Sequence, residues 1–323
     1  METGQRNILL DSIKIIAALF VIGLHCAFLY EYNKIAYQIT ANGIFKIVIP
    51  LFFCISGFFL FDVLKKGAIK RWMIRVGILY TIWMLIYSAF WIDLQNFSII
   101  KFIAKIVVGF NHLWYLNTLL LSGFALYKLR NQSNLILIGS AIVLFSIGIC
   151  IQYLGHFEVF LDNPILDKIT KYPLIHRNFL FYGLPFLSIG YVMRKTNFHT
   201  KFSKTKVLLF LVFGLVLLAI DSLINYHYLS YKVVVNMHIT FLIAAPALFM
   251  TAFTFHIPSS ANSKILSSYS IAIYLVHPLI IVLITTIFNQ GLSPTVLTLA
   301  TIIGAILISY LLIELNKKVK YLL

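Results

Sequence analysis

The sequence predicts an all-α integral membrane protein with about ten transmembrane helices and with both termini in the cytoplasm. Hydrophobic residues make up 61% of the 323 residues, charged residues make up 11%, and the mean hydropathy is +0.93. A soluble domain carries about 25% charged residues, so this chain lacks the polar surface that a water-soluble fold needs. The composition excludes soluble enzymes, disordered proteins and secreted disulfide scaffolds. It predicts a single polytopic membrane domain over residues 1–323, without a soluble extension.

Ten apolar segments account for this fold, since a transmembrane helix needs about 20 mainly apolar residues. The first segment lacks a small-residue cleavage motif and is therefore interpreted as a retained helix, not as a signal peptide. The stretch 97–110 is half-apolar and is typical of an interfacial helix. The predicted helices, in chain order, are 10–30, 44–62, 76–92, 112–128, 135–154, 179–193, 207–225, 238–255, 269–288 and 295–313.

The charge distribution predicts the orientation in the membrane. Lys and Arg number 26 against 10 Asp and Glu, a net charge of +16. In a soluble protein such an excess would suggest nucleic acid, but here the basic residues lie in short loops between apolar segments. If the N-terminus is cytoplasmic, the cytoplasmic side carries roughly twice as many Lys and Arg as the outer side, as the positive-inside rule requires. We therefore expect a lipid bilayer as the partner surface and no nucleic acid.

The first predicted helix contains three ionisable residues, Asp11, Lys14 and His25. Such residues are costly inside a membrane and are functional candidates for that reason. At about 100° per residue, Lys14 and His25 fall on one face, and Asp11 lies about 40° from it. Since imidazole suits proton transfer near neutral pH, we predict His25 as the catalytic group, with Lys14 and Asp11 beside it. The alternatives are an Asp11–Lys14 ion pair at the helix end and a histidine that hydrogen-bonds a neighbouring helix.

Basic residues at the start of the third predicted helix suggest an anion site. Arg71 and Arg75 are four residues apart and therefore share a helix face, where two guanidinium groups suit a phosphate. Lys70 precedes them. The alternative is that these cations only anchor the helix on the cytoplasmic side.

Other polar residues within or beside the apolar segments are candidates for lining a cavity. An aromatic belt accounts for Trp114 but not for His112 or Asn117 in the same motif. His277 precedes Pro278, so we expect a distorted helix there and freed backbone groups. The candidates are Ser56, His112, Trp114, Asn117, Arg177, Tyr274 and His277.

The remaining polar residues suggest no further site. Asp221 is a buried acid without an assigned partner. No HExxH spacing, Gly-rich phosphate loop or nucleophile elbow is present, so no metal is expected and neither a hydrolase nor a nucleotide-driven pump is favoured. Five further histidines at loop edges are expected to be solvated: His156, His199, His227, His238 and His256.

Taken in order, these motifs resemble the membrane acyltransferase 3 family, bacterial integral-membrane enzymes that O-acylate sugars and surface glycans. The matching segments are LDSIKIIAALFVIGLH, PLFFCISGFFLF with the following KRWMIR, HLWYL, RNFLFYGLPFLSIGYVMRK and YSIAIYLVHPLII. The family usually has arginine where this chain has Lys14. Lysine keeps the charge but loses the bidentate fork, which leaves Lys14 a simple charge role.

The resemblance implies an O-acyltransferase of the bacterial cytoplasmic membrane that takes part in polysaccharide modification of the cell envelope. Acyl-CoA, most commonly acetyl-CoA, would be the co-substrate, with its phosphates near Arg71, Arg75 and Lys70. His25 would act as general base on a hydroxyl of a lipid-linked or surface glycan, or would relay the acyl group. The cavity-lining candidates would lie on the acceptor side.

Two other functions remain open from the sequence. A transporter or flippase would use the same intramembrane Asp, Lys and His residues, although no inverted or parallel repeat is visible. An amino-acid-binding or uptake module is the third possibility.

Overall fold

The computed structural model describes residues 7–255, 257, 263–289 and 291–323. These residues form an α-helical bundle with three short 3₁₀ turns, at Ile44–Ile47, Asn111–Leu113 and Phe198–Thr200, and a π-helical turn at Phe179–Gly183. The α-helices within the described ranges are α1 Ile8–His25, α2 Lys34–Ile39, α3 Val48–Lys65, α4 Ile69–Ile86, α5 Ser88–Trp91, α6 Ile99–Val108, α7 Trp114–Leu129, α8 Asn134–His156, α9 Pro164–Lys171, α10 Pro173–His176, α11 Leu184–Lys195, α12 Lys204–Leu229, α13 Phe241–Thr254, α14 Ser263–Ile287 and α15 Pro294–Lys318.

Six helical segments of the described chain are long and apolar enough to cross a membrane, which makes this a multi-pass membrane protein. A seventh is added if α6 and α7, which meet at an angle of 61°, form one broken span. The six segments are Ile8–His25, Lys34–Lys65, Asn134–His156, Lys204–Leu229, Lys264–Ile287 and Pro294–Lys318. The count of ten and the cytoplasmic placement of both termini stay predictions.

All ten predicted segments are helical, but three of them are poor spans by length or charge. The 12 residues of α11 and the 14 of α13 extend only about 18 and 21 Å at 1.5 Å per residue. A bilayer core is about 30 Å thick. Helix α4 has 18 residues, but its first two turns contain three cations, namely Lys70, Arg71 and Arg75.

The first helix ends five residues earlier than the predicted range 10–30. His25 is its last residue, and Ala27 and Leu29 follow with φ angles of 56° and 66°. This left-handed backbone cannot continue an α-helix. The Leu29 amide donates to Thr295 Oγ1 at 3.0 Å, which ties the turn to the start of α15. His25 therefore lies at a helix end.

Two glycines allow α3 and α11 to pack with their backbones in direct contact. A Cβ atom on Gly57 of α3 would lie 1.9 Å from the Leu187 carbonyl oxygen. A Cβ atom on Gly190 of α11 would lie 2.0 Å from the Cys54 carbonyl oxygen. Small residues at such crossings let membrane helices approach closely. Gly57 and Gly190 are thus the points at which the two backbones touch.

Replacing Gly190 with alanine is therefore expected to destabilise the fold by about 1–3 kcal/mol, the usual cost of overpacking, because a backbone carbonyl cannot move aside. The measurement is the thermal unfolding midpoint in detergent, detected by fluorescence size-exclusion chromatography of heated samples. The matched control is Gly139→Ala in α8, where the added Cβ meets nothing within 4 Å. That variant should hold or raise the midpoint, since alanine favours helix by about 1 kcal/mol. An equal midpoint for both variants would contradict the contact.

The bundle contains two apolar cores, which lie on either side of α1, α7 and α14. One includes Phe53 and Leu187 from the α3–α11 pair, and the other includes Ile22 of α1 and Ile273 of α14. Tyr115 of α7 and Tyr274 of α14 pack against both cores. The boundary between the cores thus runs along α1, α7 and α14.

Candidate functional site

Three histidines from distant parts of the sequence meet at one end of α1. The His25 ring lies 5.1 Å from the His277 ring, and the His277 ring lies 5.2 Å from the His112 ring, measured between centroids. His25 ends α1, His112 lies in the turn before α7, and His277 is in the middle of α14. His112 and His277 are buried, at 3% and 0% exposure. The structure therefore brings together three histidines that the sequence only suggested separately.

A proline sets the orientation of His277. Pro278 has no N–H, so the Tyr274 carbonyl four residues earlier lacks its usual helical donor. The Nδ1 atom of His277 is 2.8 Å from that carbonyl oxygen, and a carbonyl can only accept, so Nδ1 carries the proton. In the neutral ring Nε2 is then unprotonated, and Nε2 has no hydrogen-bond partner among the described residues. The predicted freeing of a backbone group thus serves to fix one tautomer.

His25 faces a cavity of about 190 Å³. The cavity is lined by Tyr87 directly after α4, by Phe110 and Asn111 before α7, and by Pro278 of α14. The His25 side chain is exposed to this space, whereas the other two histidines are enclosed behind it. Among the three, His25 is therefore the one that a bound molecule can reach.

Tyr87 belongs to this cluster and was missed by the sequence analysis. Its side chain is 1% exposed, its ring lies 5.2 Å from the His112 ring, and its hydroxyl donates to the Leu275 carbonyl at 2.7 Å. The contact ties α4 to α14 beside His277. Nothing in the sequence distinguishes Tyr87 from the other tyrosines, since tyrosine is common at membrane interfaces.

A second cavity, of about 230 Å³, lies at the other end of α1. Lys14 and Ser56 line it, as do Ser270 and Tyr274 of α14. Lys14 also forms an ion pair with the buried Asp11, at 3.0 Å. The predicted shared face of Lys14 and His25 is confirmed in this sense, because both side chains face α14, each at its own cavity.

Tyr274 lies between the two cavities. Its side chain lines the Lys14 cavity, its hydroxyl donates to the His112 carbonyl at 2.6 Å, and its ring lies 5.1 Å from the His112 ring. A path from Lys14 to His25 along α1 would therefore pass this ring.

The basic residues of α4 lie at the Lys14 end of the bundle. Lys70, Arg71 and Arg75 are all exposed. Val76 and Leu79, farther along the same helix, line the Lys14 cavity. The three cations therefore share a helix with two residues of the cavity wall, but they do not line the cavity themselves.

The other predicted cavity residues have different surroundings. Arg177 lies with its guanidinium carbon 4.7 Å from the centre of the Trp114 ring. The Trp114 ring stacks on Tyr182 at 6.1 Å. Asn117 instead donates to the Val107 carbonyl, so it joins α7 to α6 and lies outside the histidine cluster.

Two of the histidines expected to be solvated are buried, which corrects that expectation. His199 is 3% exposed and contacts the Phe58 and Phe253 rings, and His238 is fully buried. His238 faces Asp221, with Nδ1 3.4 Å from the carboxylate, and so supplies the missing partner of that acid. His227 is exposed and His156 is partly buried. His256 lies outside the described residues.

The chemistry available at the histidine cluster is proton transfer. A neutral imidazole is a competent general base near neutral pH. Two further imidazoles lie in ring contact with one another or with His25, and no hydrogen bond joins the three rings in the described part of the chain. No group of three or more His, Cys, Asp or Glu side chains in the described part of the chain is arranged to hold a metal ion.

Comparison with known proteins gives two matches and one negative result. Residues 7–314 match the family model for an acyltransferase domain. A curated relative, an amino-acid racemase of Enterococcus faecalis, is 23% identical over 340 residues, which cover 96% of this chain and 46% of that protein. The chain thus spans about half the length of this relative. No solved structure matches the chain.

Proposed function

The chain belongs to the acyltransferase domain family, and on that basis we propose that it is an integral-membrane O-acyltransferase. It transfers an acyl group, acetyl from acetyl-CoA, to a hydroxyl of a lipid-linked or cell-surface glycan. We place it in the bacterial cytoplasmic membrane, as one membrane domain that modifies envelope polysaccharide.

The observation that carries the proposal is the position of His25, exposed to a cavity and backed by His277 and His112. A sugar hydroxyl is a poor nucleophile until a base accepts its proton. In the proposed reaction the hydroxyl oxygen attacks the thioester carbonyl while the His25 imidazole takes the proton. The C–S bond breaks, the acetyl ester forms, and CoA leaves as a thiolate that the imidazolium reprotonates.

A second route uses the same residues in two steps. His25 attacks the thioester first and carries the acyl group as an acyl-imidazole, from which the acceptor hydroxyl then takes it. Both routes break the thioester of acetyl-CoA, form an oxygen ester on the acceptor and release CoA. They differ in whether labelled acetyl stays on the protein when no acceptor is present.

The donor is proposed to enter at the Lys14 end. Its phosphates would contact Arg71, Arg75 and Lys70, and its thioester would extend along α1 past Tyr274. The rise from Lys14 to His25 is about 16 Å along the helix. A thin, extended carrier is needed to bridge that distance, and the pantetheine arm of CoA has this form. The acceptor then approaches from the His25 cavity.

Family membership favours this function over transport and over amino-acid binding. A transporter would also use Lys14 and His25, but it has no need of a tautomer fixed on His277. The racemase name belongs to a relative of which this chain matches under half, so it does not favour an amino-acid ligand here.

The testing experiment supplies acetyl-CoA, labelled in the acetyl group, to the purified protein in detergent with dodecyl β-D-glucoside as a lipid-linked sugar. We expect CoA release and labelled dodecyl glucoside. If neither CoA release nor CoA binding is detected, the acetyl-CoA proposal is wrong. Bound substrate that is never modified would support transport.

The Arg71→Gln/Arg75→Gln double variant is expected to raise KM for acetyl-CoA about tenfold or more, because it removes two charge-assisted contacts to phosphate. Its kcat should change little, since the reacting atoms lie at the other end of α1. Lys65→Gln is the control, an exposed cation at the last position of α3. A fall in kcat with KM unchanged would place these arginines outside the donor site.

A further inference from the structure

Positive charge without an acidic partner lies on the His25 side of the bundle. Lys46 is 6% exposed and donates to Asn42 Oδ1 and to the Val235 carbonyl. Arg177 is partly buried and donates to Asn236 Oδ1 at 3.3 Å. The two cations thus hold consecutive residues of one segment, and neither has a carboxylate within 4 Å in the described part of the chain.

The nearby acid is already engaged. Asp221 faces His238 and accepts hydrogen bonds from Asn225 and Thr240. His238 in turn contacts the Asn42 backbone carbonyl, so the carboxylate is linked to Lys46 only through intervening groups. The Arg177 guanidinium is thus left without a carboxylate of its own. Because an uncompensated charge is costly away from water, an anion from outside the described chain would stabilise this arrangement.

Arg177 also has unused hydrogen-bonding capacity, and so do its neighbours. Its Nε, both ring nitrogens of His176 and the hydroxyl of Tyr182 are buried without a hydrogen-bond partner in the described chain. His176 is 2% exposed and Tyr182 is fully buried. Burial lowers the pKa of Arg177, and burial together with His156 and Arg177 lowers the pKa of His176 to about 4. His176 is therefore neutral at pH 7 and can donate a hydrogen bond without adding charge.

This group adjoins the histidine cluster. The Arg177 guanidinium lies over the Trp114 ring, and Trp114 follows His112 by two residues. A molecule with a hydroxyl at His25 could therefore place a second group at Arg177.

We propose that Arg177, supported by Lys46 and His176, binds an anionic group of the acceptor, a phosphate or a carboxylate. This inference rests on the proposed function and narrows it, because the acceptor becomes an acidic glycan or a sugar linked to lipid through phosphate. A guanidinium suits both anions, which it grips with two parallel N–H donors. The charge also raises the local concentration of anionic acceptors beside His25.

The test compares three acceptors that differ at one group: dodecyl β-D-glucoside, dodecyl β-D-glucuronide and dodecyl glucose 6-phosphate. With labelled acetyl-CoA we expect kcat/KM for one or both anionic acceptors to exceed that of the neutral one at least tenfold. A preference for the glucuronide identifies a carboxylate, and a preference for the phosphate identifies a phosphate. Arg177→Gln should reduce that preference to near unity.

Two further variants distinguish the charge of Arg177 from its bidentate hydrogen bonding and from the overall positive charge of this region. Arg177→Lys keeps the charge and should retain part of the preference. Lys232→Gln removes an exposed cation from the segment that contains Asn236 and should leave the preference unchanged. Equal rates with all three acceptors, or an unchanged preference in Arg177→Gln, would overturn the proposal even if transfer occurs. Absence of transfer and of CoA release with every acceptor would instead count against the proposed function.

A binding measurement does not depend on turnover. Inorganic phosphate, and separately glucuronate, should raise the thermal unfolding midpoint of the wild-type protein and of His25→Ala, but not that of Arg177→Gln. If the anion raises the midpoint of Arg177→Gln as much as that of the wild type, it binds elsewhere and the proposed Arg177 site is wrong.

Discussion

Replacing His25 with alanine is expected to lower kcat for acetyl transfer by about 10²-fold or more, the usual contribution of a general base. The His25 side chain faces a cavity, and in the proposed reaction it accepts the proton of the attacking hydroxyl. KM for acetyl-CoA should change much less, because the proposed phosphate contacts lie at the Lys14 end. Steady-state kinetics with labelled acetyl-CoA and dodecyl glucoside separates the two parameters.

The matched control is His227→Ala. His227 is exposed near the end of α12, so its loss removes an imidazole without touching the cluster, and activity should be retained. The thermal unfolding midpoint of His25→Ala should stay close to that of the wild type, because the side chain faces open space. Transfer at the wild-type rate by a folded His25→Ala protein would remove His25 from the reaction. Labelled acetyl that stays on the wild-type protein but not on His25→Ala would favour the two-step route.

The helical spacing of Lys14 and His25 was sufficient to predict their common orientation. Two residues eleven apart differ by about 20° around a helix, and both side chains indeed face α14, at Tyr274 and His277 respectively. Such an argument needs only helix geometry, which is the same in every protein. It therefore holds even though α1 ends earlier than predicted.

Contacts between distant segments could not be predicted from the sequence. The early end of α1 depends on left-handed Ala27 and Leu29, neither of which is a residue type that signals such a backbone. Tyr87 joins the histidines because α4 packs beside α14. The buried Lys46 ammonium group donates to the Asn42 side chain four residues earlier and to the Val235 carbonyl of a distant segment. In each case tertiary packing determines where the residue lies, and no local sequence pattern predicts it.

Replacing His277 with asparagine is expected to lower kcat by about 10- to 100-fold, since asparagine can still donate to the Tyr274 carbonyl but has no basic nitrogen. The loss would show that the free Nε2 of His277 matters, beyond the packing of a buried ring. The thermal unfolding midpoint of the variant is measured alongside, so that a folding defect is recognised as such.

The decisive measurement is the double variant His25→Ala/His277→Asn. If the two imidazoles act as one proton relay, removing the second costs little once the first is gone, because groups that act as a unit have strongly non-additive effects on kcat. We therefore expect the double variant to be about as slow as His25→Ala alone. If His277 only positions the backbone around Pro278, its loss should slow His25→Ala by the same factor as it slows the wild type. That multiplicative result would contradict the relay and leave His25 as the base acting alone.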